Sequence, residues 1–240
     1  MGKRERMNAS DVKKMAYRLG ADLCGIAPVV RFEHAPRGFH PKDIFENCQS
    51  VIVLAQRSLA STLKSGSAVP YSHFNMLVTR LHDELLFRFS LELESRGVQA
   101  VPVPVDDPYI HWNPDGLEGK GVLSLRHAAM LAGMGVLGRN TLLKNRDWGN
   151  MIRLGAVLVD LKLEGDPLTN EPACPPDCRI CLDACPTQAL DGVTVNQLKC
   201  RPHTYVTTKR GFQLIRCNVC RKVCPDHAGI KRNALKRGES

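Results

Sequence analysis

Eight of the ten cysteines in this 240-residue chain fall between Cys174 and Cys224, in two runs of nearly the same design. The first reads Cys174-x3-Cys178-x2-Cys181-x3-Cys185-Pro186, the second Cys200-x16-Cys217-x2-Cys220-x3-Cys224-Pro225. Four thiolates that converge on an iron–sulfur cube need short spacings, so that one loop wraps three corners before the proline turns the chain away. In two-cluster ferredoxin patterns the fourth cysteine of such a run serves the other cube. On that pattern Cys174, Cys178, Cys181 and Cys224 hold one 4Fe-4S cluster, and Cys185, Cys200, Cys217 and Cys220 hold the other. Zinc also accepts four cysteines with paired Cys-x2-Cys spacing, but it requires neither the terminal Cys-Pro nor two interlocking runs. Cys174 is the irregular ligand, because Pro175-Pro176-Asp177 separate it from Cys178. Cys24 and Cys48 stand apart and read as small buried residues.

Elements must position these thiols. Ser10 can cap a helix to Leu19 that Gly20 ends, and Leu23 to Ala27 then reads as a strand. Ser50 to Ala55 (SVIVLA) has the continuous apolar character of a buried strand. From Ser72 to Ser95 the residues Leu77, Leu81, Leu85, Phe89 and Leu93 recur every four positions and predict the longest helix. Val98 to Val105 is strand-like, but Pro102 and Pro104 confine it to an edge or an extended entry to a loop. Asp106 to Gly121 then predicts a long structureless loop carrying Tyr109, His111 and Trp112, and loops of that length are commonly functional. Ser124 caps a short helix that runs into Gly133, Gly135 and Gly138, and Met151 to Leu161 supplies a further strand. A hinge-like EGDPLTNEP leads into the cysteines, which places a core at residues 1–165 and a cluster module at 166–240.

The composition is 43% hydrophobic and 24% charged, enough for one sizeable core with a small appended module. No apolar stretch approaches the roughly 20 residues of a membrane span. The N-terminus MGKRERMNAS has neither an apolar signal core nor a twin-arginine pair, so the expected location is cytoplasmic. The formal charge of +9 suits nucleic acid, an anionic cofactor or an acidic redox partner. Two loaded clusters would lower it to roughly +5, since the charge of a metal site belongs in the sum.

Together with the cysteines, the segments LGADLCGIAPV (Leu19 to Val29), VPVD, RHAAMLAGMGVLGRNTLL (Arg126 to Leu143), GAVLVDL, CRICLDACPTQAL and CNVCRKVCP resemble the epoxyqueuosine reductase family and its relatives the reductive dehalogenases, from about residue 10 to 227. The resemblance implies an α+β fold, with a nitroreductase-like core that binds a corrinoid (cobalamin) and an appended ferredoxin-like module with two 4Fe-4S clusters. It implies that cobalt chemistry removes an epoxide oxygen or a halide, with electrons from a low-potential donor such as ferredoxin or flavodoxin. Flavin is the alternative occupant of the same core.

Within that frame Asp106 matches the family's general acid, shielded by its loop, and Tyr109 is the second candidate proton donor. An Asx turn at Asp106-Asp107-Pro108 explains the aspartate equally well. Gly133, Gly135 and Gly138 read as places where a flat cofactor meets backbone, with Arg139 and Asn140 hydrogen-bonding its periphery. No Asp-x-His-x-x-Gly stands in the sequence, so the corrinoid is expected without a histidine lower ligand. His111 reads as solvated and His127 as a packed core residue. The chain continues only about 15 residues beyond Cys224, without the helical repeats of longer family members that help bind tRNA. About a dozen extra residues also precede the glycine-rich segment. A small-molecule substrate is therefore preferred to tRNA, and Lys231, Arg232, Lys236 and Arg237 read as a solvated tail. The expected activity is reductive cleavage of a C–O or C–halogen bond, the rival a non-catalytic electron carrier that reactivates a corrinoid protein.

Overall fold

The computed structural model describes residues 6–229; the basic tail read above lies outside them. In chain order the elements are α1 (Ala9–Leu19), β1 (Leu23–Pro28), α2 (Pro41–Ile44), β2 (Ser50–Arg57), α3 (Ala68–Ser95), β3 (Ala100–Val103), β4 (His111–Asn113), β5 (Glu118–Lys120), α4 (Leu125–Leu131), β6 (Val136–Leu137), β7 (Leu143–Lys144), β8 (Ile152–Val159), α5 (Ile180–Asp183), α6 (Gln197–Thr204), β9 (Tyr205–Thr207), β10 (Gln213–Ile215) and α7 (Val219–Lys222).

Four strands form an antiparallel sheet in the order β1-β2-β8-β3. The inner strands β2 and β8 are covered on both faces, which is why SVIVLA and GAVLV run apolar without alternation. One face packs on α1 and α3 through Val12, Leu85, Phe89, Ile52 and Val157. The other packs on α4 through Ala128, Ala129, Val53 and Leu158. β3 takes the edge that Pro102 requires.

Three local readings change. Asn8, not Ser10, caps α1: its side chain accepts from the Asp11 amide at 3.0 Å, and the Asp11 carboxylate accepts from the Asn8 amide at 3.1 Å. Along α3, Leu85, Phe89 and Leu93 are buried, but Leu77 and Leu81 are 43% and 46% exposed. A repeat of four gains about 40° per step on a helix of 3.6 residues per turn, so the row winds off the buried face. The Ser124 hydroxyl bonds His127 Nδ1 at 2.7 Å instead of capping α4, and His127 is exposed, not packed in the core.

The segment read as a hinge is pinned. The Asp166 amide donates to the Ile26 carbonyl at 3.0 Å, its carboxylate accepts from the Ile26 amide at 2.8 Å and pairs with Lys13, and Arg31 donates to its carbonyl at 2.8 Å. Likewise the 106–121 stretch is no structureless loop, because β4 and β5 pair His111 with Lys120 as a hairpin. Among the described residues no helix is long and apolar enough to cross a membrane.

Candidate active site and cluster-binding loops

The helical turns α5 and α7 each carry the middle cysteine of a Cys-x2-Cys-x3-Cys run, Cys181 and Cys220. Burial, and then the neighbouring Cys174, Cys224 and Cys178, push the Cys181 thiol up to about 11. Burial also raises Cys220; Arg221 opposes this, while Cys200, Cys217 and Cys185 add to it. The electrostatic neighbours thus sort into the two interleaved quartets, with Cys224 beside Cys174 although they are 50 positions apart in the chain. At Cys185 burial acts upward, but the amides of Ala189, Thr187 and Leu190 and the Thr187 hydroxyl outweigh it. Those donors favour a thiolate, the form that binds metal. Among the described residues no three His, Cys, Asp or Glu close on a single ion. A cube gives each thiolate its own iron, so its ligands stand farther apart than those of one ion, and the donor set fits that group.

Cys24 and Cys48 are buried in the sheet core, where burial pushes their thiols up to about 12 and about 11. They are inert thiols, as their apolar surroundings imply.

The AGMGVLGRN segment, expected to cradle a cofactor, is bonded to the cysteine loops. A side chain at Gly133 (φ +70°) would stand 2.1 Å from the Pro167 carbonyl oxygen, and one at Gly135 (φ +153°) 2.2 Å from that of Lys144. The space beside each is filled by the chain itself, and at Gly138 by the Asn140 side chain at 2.9 Å. Arg139 donates to the carbonyls of Cys178 at 3.1 Å and Pro176 at 2.5 Å. Buried Asn140 donates to the Cys220 carbonyl at 2.9 Å. Lys144, also buried, pairs with Asp226 at 3.1 Å. The β6–β7 hairpin is therefore a clamp on both cysteine runs.

Asp106 and Tyr109 stand just before the β4–β5 hairpin. Asp106 is exposed, not shielded as the loop had suggested, and accepts a hydrogen bond from the Tyr109 hydroxyl at 2.5 Å. Burial, and then that bond, hold the Tyr109 proton more firmly than in a free phenol. Tyr205 is raised by burial and then by Asp106. His111 instead packs its ring on Phe39, 4.7 Å between centroids. The hairpin is latched to α6, the helix that carries Cys200: Gly119 and Gln197 exchange hydrogen bonds of 3.0 and 3.1 Å. The Arg201 guanidinium lies 5.1 Å from the Trp112 ring and 5.8 Å from that of Tyr109.

Arg126, Arg153 and Arg221 were not read as site residues. Desolvation and then the like charge of Arg221 push Arg126 and Arg153 below the ordinary guanidinium range. Tyr109 and Cys220 oppose the shift at Arg126, and Asp106, Tyr71 and Tyr205 oppose it at Arg153. Arg126 still meets solvent although protein surrounds it on most sides. One sequence signal was available, since Arg153 is a lone charge inside the apolar run of β8.

An α+β sheet protein with two cysteine quartets beside an Asp–Tyr pair and a group of arginines is the class these features define. No family model matches the chain. It is 38% identical over 123 residues to an epoxyqueuosine reductase of Staphylococcus aureus, covering 46% of this chain and 31% of that one. To the epoxyqueuosine reductase of Cyclobacterium marinum it is 25% identical over 89% of this chain and 77% of the relative. The fold superposes on the epoxyqueuosine reductase of Streptococcus thermophilus with a TM-score of 0.64, at 22% identity, over 93% of this chain and 67% of that one. It also matches a catabolic reductive dehalogenase complexed with 3-bromo-4-hydroxybenzoic acid, at a TM-score of 0.71 and 19% identity, over 96% of this chain and 34% of that one. The resemblance read from the sequence therefore holds over most of the chain, while the chain spans about a third of the Staphylococcus relative.

Proposed function

We propose that this chain is an iron–sulfur reductase that cleaves a C–O or C–halogen bond in a substrate held at Asp106 and Tyr109. The observation that carries the reading is the sorting of eight cysteines into two interleaved quartets, one of which includes Cys200 on the helix latched to the hairpin that follows Asp106. When bound, the two 4Fe-4S clusters supply low-potential single electrons. The ligands would be Cys174, Cys178, Cys181 and Cys224 for one cluster and Cys185, Cys200, Cys217 and Cys220 for the other. A low-potential donor such as ferredoxin or flavodoxin would refill them. Asp106 and Tyr109 share one proton-bearing hydrogen bond and can deliver a proton to a departing oxygen or to the carbon that loses its halide.

A corrinoid, or flavin in its place, is the organic cofactor proposed for this core, and no step here runs through it. The substrate is proposed as a small molecule. The second reading is tRNA, favoured by the fold shared with an epoxyqueuosine reductase seen with an epoxyqueuosine-modified tRNA stem loop, at 18% identity and a TM-score of 0.60. We place the protein in the cytoplasm, with residues 1–165 as core and 166–240 as cluster module.

Iron and acid-labile sulfide assays on anaerobically reconstituted protein test the reading, with about eight of each expected per chain from two cubes. Stoichiometric zinc without sulfide would overturn it. Spectra recorded with added cobalamin and, separately, flavin decide which organic cofactor the core accepts.

A further inference from the structure

We propose that Arg153 and Arg221, with Arg126 near them, form a binding site for an oxyanion, the phosphate or carboxylate group of a small substrate whose reacting end lies at Asp106 and Tyr109. The proposal rests on the reductase reading for the identity of that reacting end. The site itself rests on geometry.

Arg153, Arg221, Tyr71, Asn75 and Ser58 line a cavity of about 20 Å³, room for about one oxygen-sized group. Among the described residues none of the three guanidiniums has a carboxylate partner. Arg126 donates to the Thr141 carbonyl and hydroxyl at 2.9 and 3.1 Å. Arg153 donates to the Asn75 side-chain oxygen. Arg221 donates to the Asn150 carbonyl and lies 3.8 Å from the Met151 sulfur. Like charges held together against neutral acceptors are costly unless an anion joins them.

The second cluster can answer part of this charge, since Arg126 and Arg221 both feel Cys220. The leading electrostatic neighbours of Arg153 are instead Arg221, Asp106, Tyr71 and Tyr205. Guanidinium forks suit planar or tetrahedral oxyanions because they offer paired donors. An oxyanion seated here would put the rest of a small molecule toward the Asp106–Tyr109 pair, which shares the electrostatic field of Arg153 and Arg126.

The test is calorimetric titration of the full-length, anaerobically reconstituted protein with inorganic phosphate and, separately, acetate. At least one should bind. Arg153→Gln should weaken it about 10- to 100-fold, the range of a lost charge-assisted hydrogen bond. Arg153→Lys should fall between, and Lys14→Gln, in the basic groove beside α1, should bind like wild type. Melting curves and iron content identify a variant that has lost its fold, in which case Arg153→Lys carries the test. Failure of both anions to bind, or equal binding by well-folded Arg153→Gln, overturns the site. An RNA stem loop that binds through Arg153 more tightly than phosphate assigns the oxyanion to a nucleic-acid backbone and overturns the small-substrate class. Arg153-dependent phosphate binding by protein that takes up no iron would leave the site standing and remove the reductase reading instead.

Discussion

His82 lies fully buried between α3 and β2, its Nε2 3.2 Å from the Leu54 carbonyl oxygen and its Nδ1 3.0 Å from the Gln56 side-chain oxygen. Burial lowers its pKa from 6.5 to about 4; the Leu54 carbonyl opposes the shift and the Arg153 charge adds to it. The folded value lies below the unfolded one, so the unfolded chain takes up the proton first. The resulting stability is complete above about pH 6.5 and is lost as pH falls toward 4. By pH 5 the loss should reach about 2 kcal/mol. Urea unfolding of wild type and His82→Gln at pH 7 and pH 5 measures it, and the variant should lose less on acidification. Equal losses would mean that His82 does not titrate in this range.

At the scale of elements the β6–β7 hairpin carries the most consequence per residue. Its sharp path depends on Gly135, where an added methyl would meet the Lys144 carbonyl oxygen and carbon at 2.2 and 2.9 Å, both backbone atoms that cannot swing aside. Gly135→Ala should cost at least about 2 kcal/mol by overpacking and backbone strain, read from the shift in urea midpoint. Asn140, at the tip, serves two elements at once, donating to the Cys220 carbonyl and accepting from the Leu142 amide at 3.2 Å. Asn140→Ala leaves both groups unpaired, a loss of about 1–3 kcal/mol, and should speed the loss of iron to a chelator. Unchanged iron release would show that the clamp holds the fold without holding the cluster. Both residues are expected from the sequence as cofactor contacts, and there glycines near Arg and Asn look alike whether they admit a ligand or the chain's own carbonyls.

For the whole molecule the test is interleaving. If Cys224 completes the cluster begun at Cys174, Cys224→Ala should convert the first-run cluster toward a three-iron form and spare the other, as seen by low-temperature EPR. Loss confined to the second run would mean that each run keeps its own cube. Much of this arrangement was legible along the chain. The spacing of the cysteines, with Cys-Pro at each end, encodes loop geometry locally, so the quartets could be written down before any fold. β2 and β8 were equally plain, because strands buried on both faces have no polar alternation, and Pro102 marked its strand for an edge. What lay beyond the sequence is everything that depends on which distant backbone fills a gap. Only the tertiary structure puts Pro167 against Gly133, pins the apparent hinge at Asp166 to β1 and winds Leu77 out to solvent. It also gathers Arg126, Arg153 and Arg221 from a helix, a strand and a cysteine loop into one field, because charge acts through space and leaves no periodic trace in the order of residues.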